Sequence, residues 1–490
     1  MRVDPLPTLV TRFELGFDTL ESEVTNRDLD VTGSIPAWLD GSLLRNGPAK
    51  FEVGGDRVAH WFDGLGMLHR YAFEDGTVTY TNRFLRGETY RRATASGELV
   101  GQFATGSGSW LRRLWGMVFG ESTDNANVHV ARLDGRYLAL TEVPRYVEFD
   151  PETLATEDDF TFDDDLSGQL NCAHVLPDPH RGETVGLLTD FGRPTVYRIF
   201  RVADGSTRRE EIAAIEADRP AYLHSFALTE RFVVLTEHPF VTNPLSFFAP
   251  GGESFVDFFE WQPDRGTTFH VIDRDTGETV ARRRTDPFFV FHHVNAFERD
   301  GTIVVDLVAY PDAAVVDGLF LGDWDDWFDA EGTDGILRRY RVPLDAGPVE
   351  YDTLYDGCEM PRIAPHDRTR PYRYAYLQGA ADPDGNHLVT VDLDSGESRT
   401  WRESGLFVEE PIVVVPPGAD RPSSKRAGEG DGVRVDEGGE AGVVLVTALD
   451  ADAGRSVLLV FDAATLEPRA RAPLPHHVPF GFHGRYFPEL

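Results

Sequence analysis

Four histidines sit in settings that suit metal ligation. His174 lies in NCAHVLPD, His224 in AYLHSFALTERFVVL, His292 in FFVFHHVNAFERD and His483 in PFGFHGRYF. Each enters or follows an apolar, strand-like run, and a buried imidazole costs free energy unless it finds a partner. A lone histidine among the chain's 15 is more often a packed or surface residue than a ligand. Four that converge could bind one divalent ion, and an all-imidazole set suits zinc, copper, iron or nickel. Carboxylates in apolar runs add to the case: Glu142 closes RYLALTE, Glu359 sits in GCEMPRI and Glu410 in LFVEEPIVVV. A ligating imidazole normally donates its other N–H to such an acceptor. The plainer reading is that these glutamates end strands in solvated turns.

Convergence needs a scaffold, and the chain shows strand–turn–strand units with little helical periodicity. The turns are FEDGTV (73–78), FDPETL (149–154), VADGST (202–207), DRDTGE (273–278), LDAGPV (344–349), DLDSGE (392–397) and FDAATL (461–466). Seven such hairpins, recurring about every 65 residues, predict an all-β, seven-bladed propeller. Two stacked β-sandwich or barrel domains are the alternative. The histidines are 50, 68 and 191 residues apart (224 − 174, 292 − 224, 483 − 292), near one, one and three blade periods. On a propeller, equivalent blade positions meet at the central axis.

The chain carries 47 basic and 82 acidic residues, a formal charge of −35, and its only lysines are Lys50 and Lys425. Such a surface suits work in molar salt, where screening acts within about 3 Å. It offers no basic patch for nucleic acid. Cys172 and Cys358 make no disulfide framework and fit reduced thiols. No apolar run is long enough to span a bilayer and the first residues lack a secretory core, so a cytoplasmic location is expected. Cys172, two residues before His174, reads as a packed small hydrophobe or a redox-sensitive thiol.

Residues 1–490 read as one domain closed by the C-terminal segment. Residues 418–442, rich in Gly, Ser and charge, read as a flexible acidic loop inserted between strands. The segments SWLRRLWGMVFG (109–120) and PLSFFAPGGESFVDFFEW (244–261) carry large apolar residues without strand alternation. They could cover the core, or form a rim that touches a membrane or admits a lipid.

Across nearly the whole chain the sequence resembles the carotenoid cleavage oxygenases. The resemblance rests on GSLLRNGPAKFEVG, HWFDGLGMLHRYAFEDGTV, TDNANVHV, FHHVNAFE, EMPRI, EEPIVVVP and GFHGRY, in that order. The RNGP and HWFDGLGMLH blocks are closer to the animal-type branch, which includes β-carotene oxygenases and a retinoid isomerase. The resemblance implies an axial Fe(II) held by His174, His224, His292 and His483, with His292 chosen over His293. It implies Glu142, Glu359 and Glu410 behind them, with Glu410 chosen over Glu409. Val128 matches a position whose methyl group shields one open coordination site. Loops and short helices on one face would form a cap over an apolar substrate tunnel. A rim of Trp110, Leu114, Trp115, Phe119, Phe247 and Phe248 would then make peripheral membrane contact.

The reaction so implied is addition of both atoms of O2 across a conjugated C=C bond of a carotenoid or apocarotenoid, giving two carbonyl products, β-carotene to retinal among the candidates. No flavin or nicotinamide is required, and the sequence has no glycine-rich nucleotide motif. Isomerisation of a retinoid or carotenoid without cleavage, or carotenoid binding alone, is the alternative. Stilbene cleavage is a weaker one: that branch uses a Lys and a Tyr to activate the phenol, and neither Lys50 nor Lys425 sits at an expected tunnel position.

Overall fold

The computed structural model describes residues 13–99, 123–248, 255–322, 333–418 and 442–490. Seven antiparallel sheets of four to six strands form the blades of a β-propeller. All seven predicted turns join neighbouring strands away from the axis. Their chemistry explains why they form. Asp75 and Gly76 both take positive φ (47° and 76°), as a two-residue hairpin turn requires. At the turn after Arg455–Asp462, the Asp462 carboxylate accepts the backbone N–H groups of Ala464 (3.0 Å) and Thr465 (2.9 Å). Asp273 does the same for Asp275 and Thr276, both at 2.9 Å.

The strands nearest the axis are Gly484–Phe487, His129–Leu133, the interrupted pair Leu170–Asn171 and Leu176–Asp178, Ala227–Leu228, Phe289–Arg299, Cys358–Arg362, and the pair Leu406–Val408 and Ile412–Val414. We number the blades 1 to 7 in that order. Second strands, sandwiched between neighbouring blades, are buried on both faces and read as continuous apolar runs, as in Thr302–Tyr310 and Val443–Asp450.

Seven apolar clusters join successive blades around the ring. Leu44 and Tyr137 lie between blades 1 and 2, Leu140 and Val175 between 2 and 3, and Leu187 and Leu235 between 3 and 4. Val271 and Ile303 follow, then Val308 and Leu377, then Leu388 and Val444, and Leu458 with Leu43 completes the circle.

Ring closure is mutual. The C-terminal strand Gly484–Phe487 pairs with Gly41–Lys50 and becomes the innermost strand of blade 1. The N-terminal strand Thr32–Gly33 pairs with Pro468–Pro473 on the outside of blade 7. Among the described residues no helix is long and apolar enough to cross a membrane. The body of the predicted insertion, 419–441, and the rim residues Trp110, Leu114, Trp115 and Phe119 lie outside the described residues.

Candidate metal centre on the propeller axis

Each blade sends one side chain to a common point. His483 enters just before the inner strand of blade 1, His174 in the break of blade 3, and His224 just before the inner strand of blade 4. His292 lies within the inner strand of blade 5, where the pairing register shifts between Val290 and His293. Glu142 follows Arg136–Leu140 in blade 2, Glu359 lies in blade 6, and Glu410 in the break of blade 7. Breaks and register shifts free these side chains from strict alternation.

The four imidazoles converge, with ligand atoms all within 4.8 Å of one another. Nε2 of His174 lies 3.1 Å from that of His224, and Nε2 of His292 lies 3.3 Å from that of His483. The opposite nitrogens of three rings are tied to carboxylates. His224 donates Nδ1–H to Glu142, His292 to Glu359 at 2.6 Å and His483 to Glu410 at 2.7 Å. This fixes the tautomer and leaves each Nε2 lone pair facing the axis.

Burial and the neighbouring rings hold the pKa of His174 well below its ordinary value, and burial brings His483 down to about 4. Four inward lone pairs about 3 Å apart in pairs are the spacing of adjacent ligands on an ion that takes imidazole nitrogen at about 2.0–2.1 Å. The residues fit a divalent metal.

The carboxylates are themselves held. Tyr222 donates to Glu142 at 2.5 Å, Tyr310 to Glu359 at 2.9 Å, and Arg362 to Glu410 at 2.7 and 2.8 Å. Burial alone would raise Glu410, yet Arg362 and His483 hold it well below the usual carboxylate range. Glu359 is lowered by His292 against the same burial penalty. Tyr222, Tyr310 and Arg362 are the supporting residues that sequence reasoning missed. Arg362 stands inside the quoted EMPRI, where the arginine was the available signal.

Within the paired motifs the two neighbours make different contacts. His293 faces away and is held by Ser225 Oγ and Thr236 Oγ1, both at 2.7 Å. Glu409 instead takes the backbone N–H of Gly481 at 2.6 Å and the hydroxyl of Thr447. Val128 is buried and its carbonyl accepts the N–H of His483 at 3.2 Å, which brings it beside the histidine cluster. The Cys172 thiol is buried and donates to the carbonyl of His224 at 2.9 Å. Phe247 is 7% exposed and packs on Phe191, Phe255 and Phe258, whereas Leu245 beside it is 55% exposed.

The tail approaches closely. A Cβ on Gly47 would lie 2.4 Å from Cα of Gly481, so only glycine lets the segment before His483 lie against blade 1.

The profile of the retinal pigment epithelial membrane protein family matches residues 17–488. The chain belongs to this family. Its relatives include carotenoid cleavage dioxygenase 8 homolog A of Oryza sativa subsp. japonica, 34% identical over 94% of this chain and 85% of the rice protein. Carotenoid isomerooxygenase of Galleria mellonella is 33% identical over 96% of this chain and 95% of that one. Among solved structures, a Synechocystis apocarotenoid oxygenase variant superposes with a TM-score of 0.82 at 27% identity, covering 98% of both chains. The propeller and family expected from the sequence are borne out.

Proposed function

We propose that this family member is an Fe(II)-dependent dioxygenase that cleaves a conjugated C=C bond of a carotenoid or apocarotenoid into two carbonyl products. The observation that carries the reading is the set of four inward-facing imidazoles, three of them backed by carboxylates. The names of the relatives supply the substrate class. His174, His224, His292 and His483 would hold the iron, which when bound supplies activation of O2.

The protein's own contribution is geometric and electrostatic. Seven rigid blades fix the four nitrogens, and Glu142, Glu359 and Glu410 hold three of the rings with Nε2 facing inward. Those carboxylates, bonded behind the rings, would offset the charge of a bound metal. Val128 would cover one open position, leaving one for the reaction. No flavin or nicotinamide is needed, because the alkene supplies the electrons.

Stilbene cleavage is disfavoured further, since Lys50 pairs with Glu21. A cap-enclosed apolar tunnel, peripheral docking through the 109–120 and 244–261 segments, a cytoplasmic location and tuning to high salt belong to the same reading. The exposed Leu245 favours the docking.

The deciding experiment is mass spectrometry of products from Fe(II)-loaded protein given β-carotene and apocarotenoids under 18O2 in high salt. Two labelled carbonyl fragments would establish cleavage, and their lengths would name the bond. An intact or isomerised polyene would move the protein to an isomerase or carrier, and β-carotene yielding labelled retinal would extend the reading to that product.

A further inference from the structure

Beyond the histidine layer the axial strands continue, and their next side chains are basic. Arg485 lies two residues after His483 on the strand Gly484–Phe487, so alternation puts it on the same side of the strand, one step further along. Arg362 lies three residues after Glu359, and its guanidinium donates to the carbonyl of Gly484 at 3.0 Å. Arg368 follows in the connection after Cys358–Arg362. That connection is pinned by Asn295, which donates to the carbonyls of Asp367 (2.9 Å) and Arg370 (3.0 Å), and its His366 carbonyl meets His180 Nε2 at 3.3 Å. Segments of blades 3, 5 and 6 therefore meet there.

Three guanidiniums thus gather in a protein of net charge −35, and the local carboxylates do not balance them. Glu410 is taken by Arg362 and His483. Asp178, the carboxylate acting on Arg368, is bound by the buried Arg274 at 2.8 Å. Glu489, which acts on Arg485, is held by Arg132 at 3.3 Å and Tyr137 at 3.1 Å. Among the described residues the side chains of Arg368 and Arg485 make no hydrogen bond and no ion pair.

Both keep partial exposure, while burial and the neighbouring Arg362 and Arg485 oppose the charge of Arg368, bringing it down to about 10. Beside them His129 is 7% exposed with no partner for Nδ1, its ring 5.5 Å from both His174 and His483.

We propose that Arg368 and Arg485, with Arg362 alongside, form a binding site for one small anion near the propeller axis, beyond the histidine cluster. Uncompensated guanidiniums deep in a protein are costly, whereas a charge-assisted bond to an anion is strong and short. The ligand class is a halide or a short carboxylate, small enough to reach two partly buried guanidiniums. Free halide from the medium and an organic carboxylate would make the same contacts.

The test compares thermal midpoints of the metal-loaded protein at constant ionic strength, replacing the bulky gluconate anion by bromide or by acetate. The expected result is a saturating rise with bromide, acetate or both in the parent protein, lost in Arg368→Gln. Which salt acts names the source. No anion-specific rise, or the same rise in the variant, overturns the site. Should Arg368→Gln fail to fold, anomalous diffraction from parent crystals soaked in bromide decides. A peak between Arg368 and Arg485 supports the site, and scattered surface peaks alone overturn it.

Discussion

Glu410 binds His483 and its chain neighbour at once, one carboxylate oxygen accepting the imidazole Nδ1–H at 2.7 Å and the other the N–H of Gly484 at 2.8 Å. The blade 7 carboxylate therefore fixes both the ring and the backbone of a blade 1 histidine. In Glu410→Gln one amide oxygen must serve both donors, and Arg362 loses its counter-charge. We expect metal affinity to fall about 10–100-fold. Stability should drop by about 3 kcal/mol, as when one partner of a buried pair is removed. Competitive metal titration and thermal melting check this, and unchanged affinity would show that the carboxylate is a bystander.

His292 and His293 are adjacent but opposed. We expect His292→Ala to lose bound metal and turnover together. His293→Ala should keep the metal and cost about 1–3 kcal/mol, because the Ser225 and Thr236 hydroxyls lose a partner. Metal content by mass spectrometry together with a denaturation curve separates the two. The reverse pattern would reassign the ligand.

Much of this site was legible before any coordinates. The seven turns carry local chemistry, an Asp side chain or a positive φ, and the four clustered histidines flank apolar strands, so both leave a pattern in the chain. The supports of the carboxylates do not. Tyr222 reaches Glu142 across 80 positions and Tyr310 reaches Glu359 across 49, contacts set by blade packing and not by neighbouring residues. The partner of the tail was likewise hidden, because strand pairing between residues 42 and 487 has no short-range signature. Arg485 looked like an ordinary charge until its inner-strand position placed it beside Arg362 and Arg368.

Acid should destabilise the fold before most carboxylates titrate. Burial lowers His60 and His69 to about 3 and His238 to about 4, from an ordinary 6.5. The folded form keeps these rings neutral, while the unfolded chain takes up protons below 6.5. Their stabilising effect is therefore complete above that pH and is lost as pH falls towards about 4. The limit is about 1.4 kcal/mol per pH unit for each ring. Urea midpoints at pH 7.5, 6.5 and 5.5 in constant high salt should decline, and His238→Gln should flatten the slope. An identical slope in the variant would remove His238 from the account.

The strands on either side of the 419–441 segment are neighbours, since Val414 pairs directly with Val443. A short turn can join them without moving either strand. Deleting 421–440 should leave melting temperature and turnover within experimental error, because closing a loop of any such length costs little. Loss of either would make the insertion a working part of blade 7 or of the site.

Gly47 offers the sharpest test of how blade 1 controls the metal. Its backbone lies against Gly481, the Asn46 carbonyl accepts the N–H of Phe482 at 3.0 Å, and the Asn46 N–H donates to the carbonyl of His483 at 3.0 Å. A methyl group at position 47 would meet backbone at 2.4 Å, which no rotamer can relieve. The tail must shift, and with it the His483 ring. We expect Gly47→Ala to cost about 1–3 kcal/mol, the usual penalty of overpacking. It should also weaken metal binding although residue 47 contributes no ligand atom. Metal affinity and stability measured on the same preparation read the two effects separately. A variant that melts early but binds metal as tightly as the parent would mean that Glu410 alone is enough to hold His483 in place.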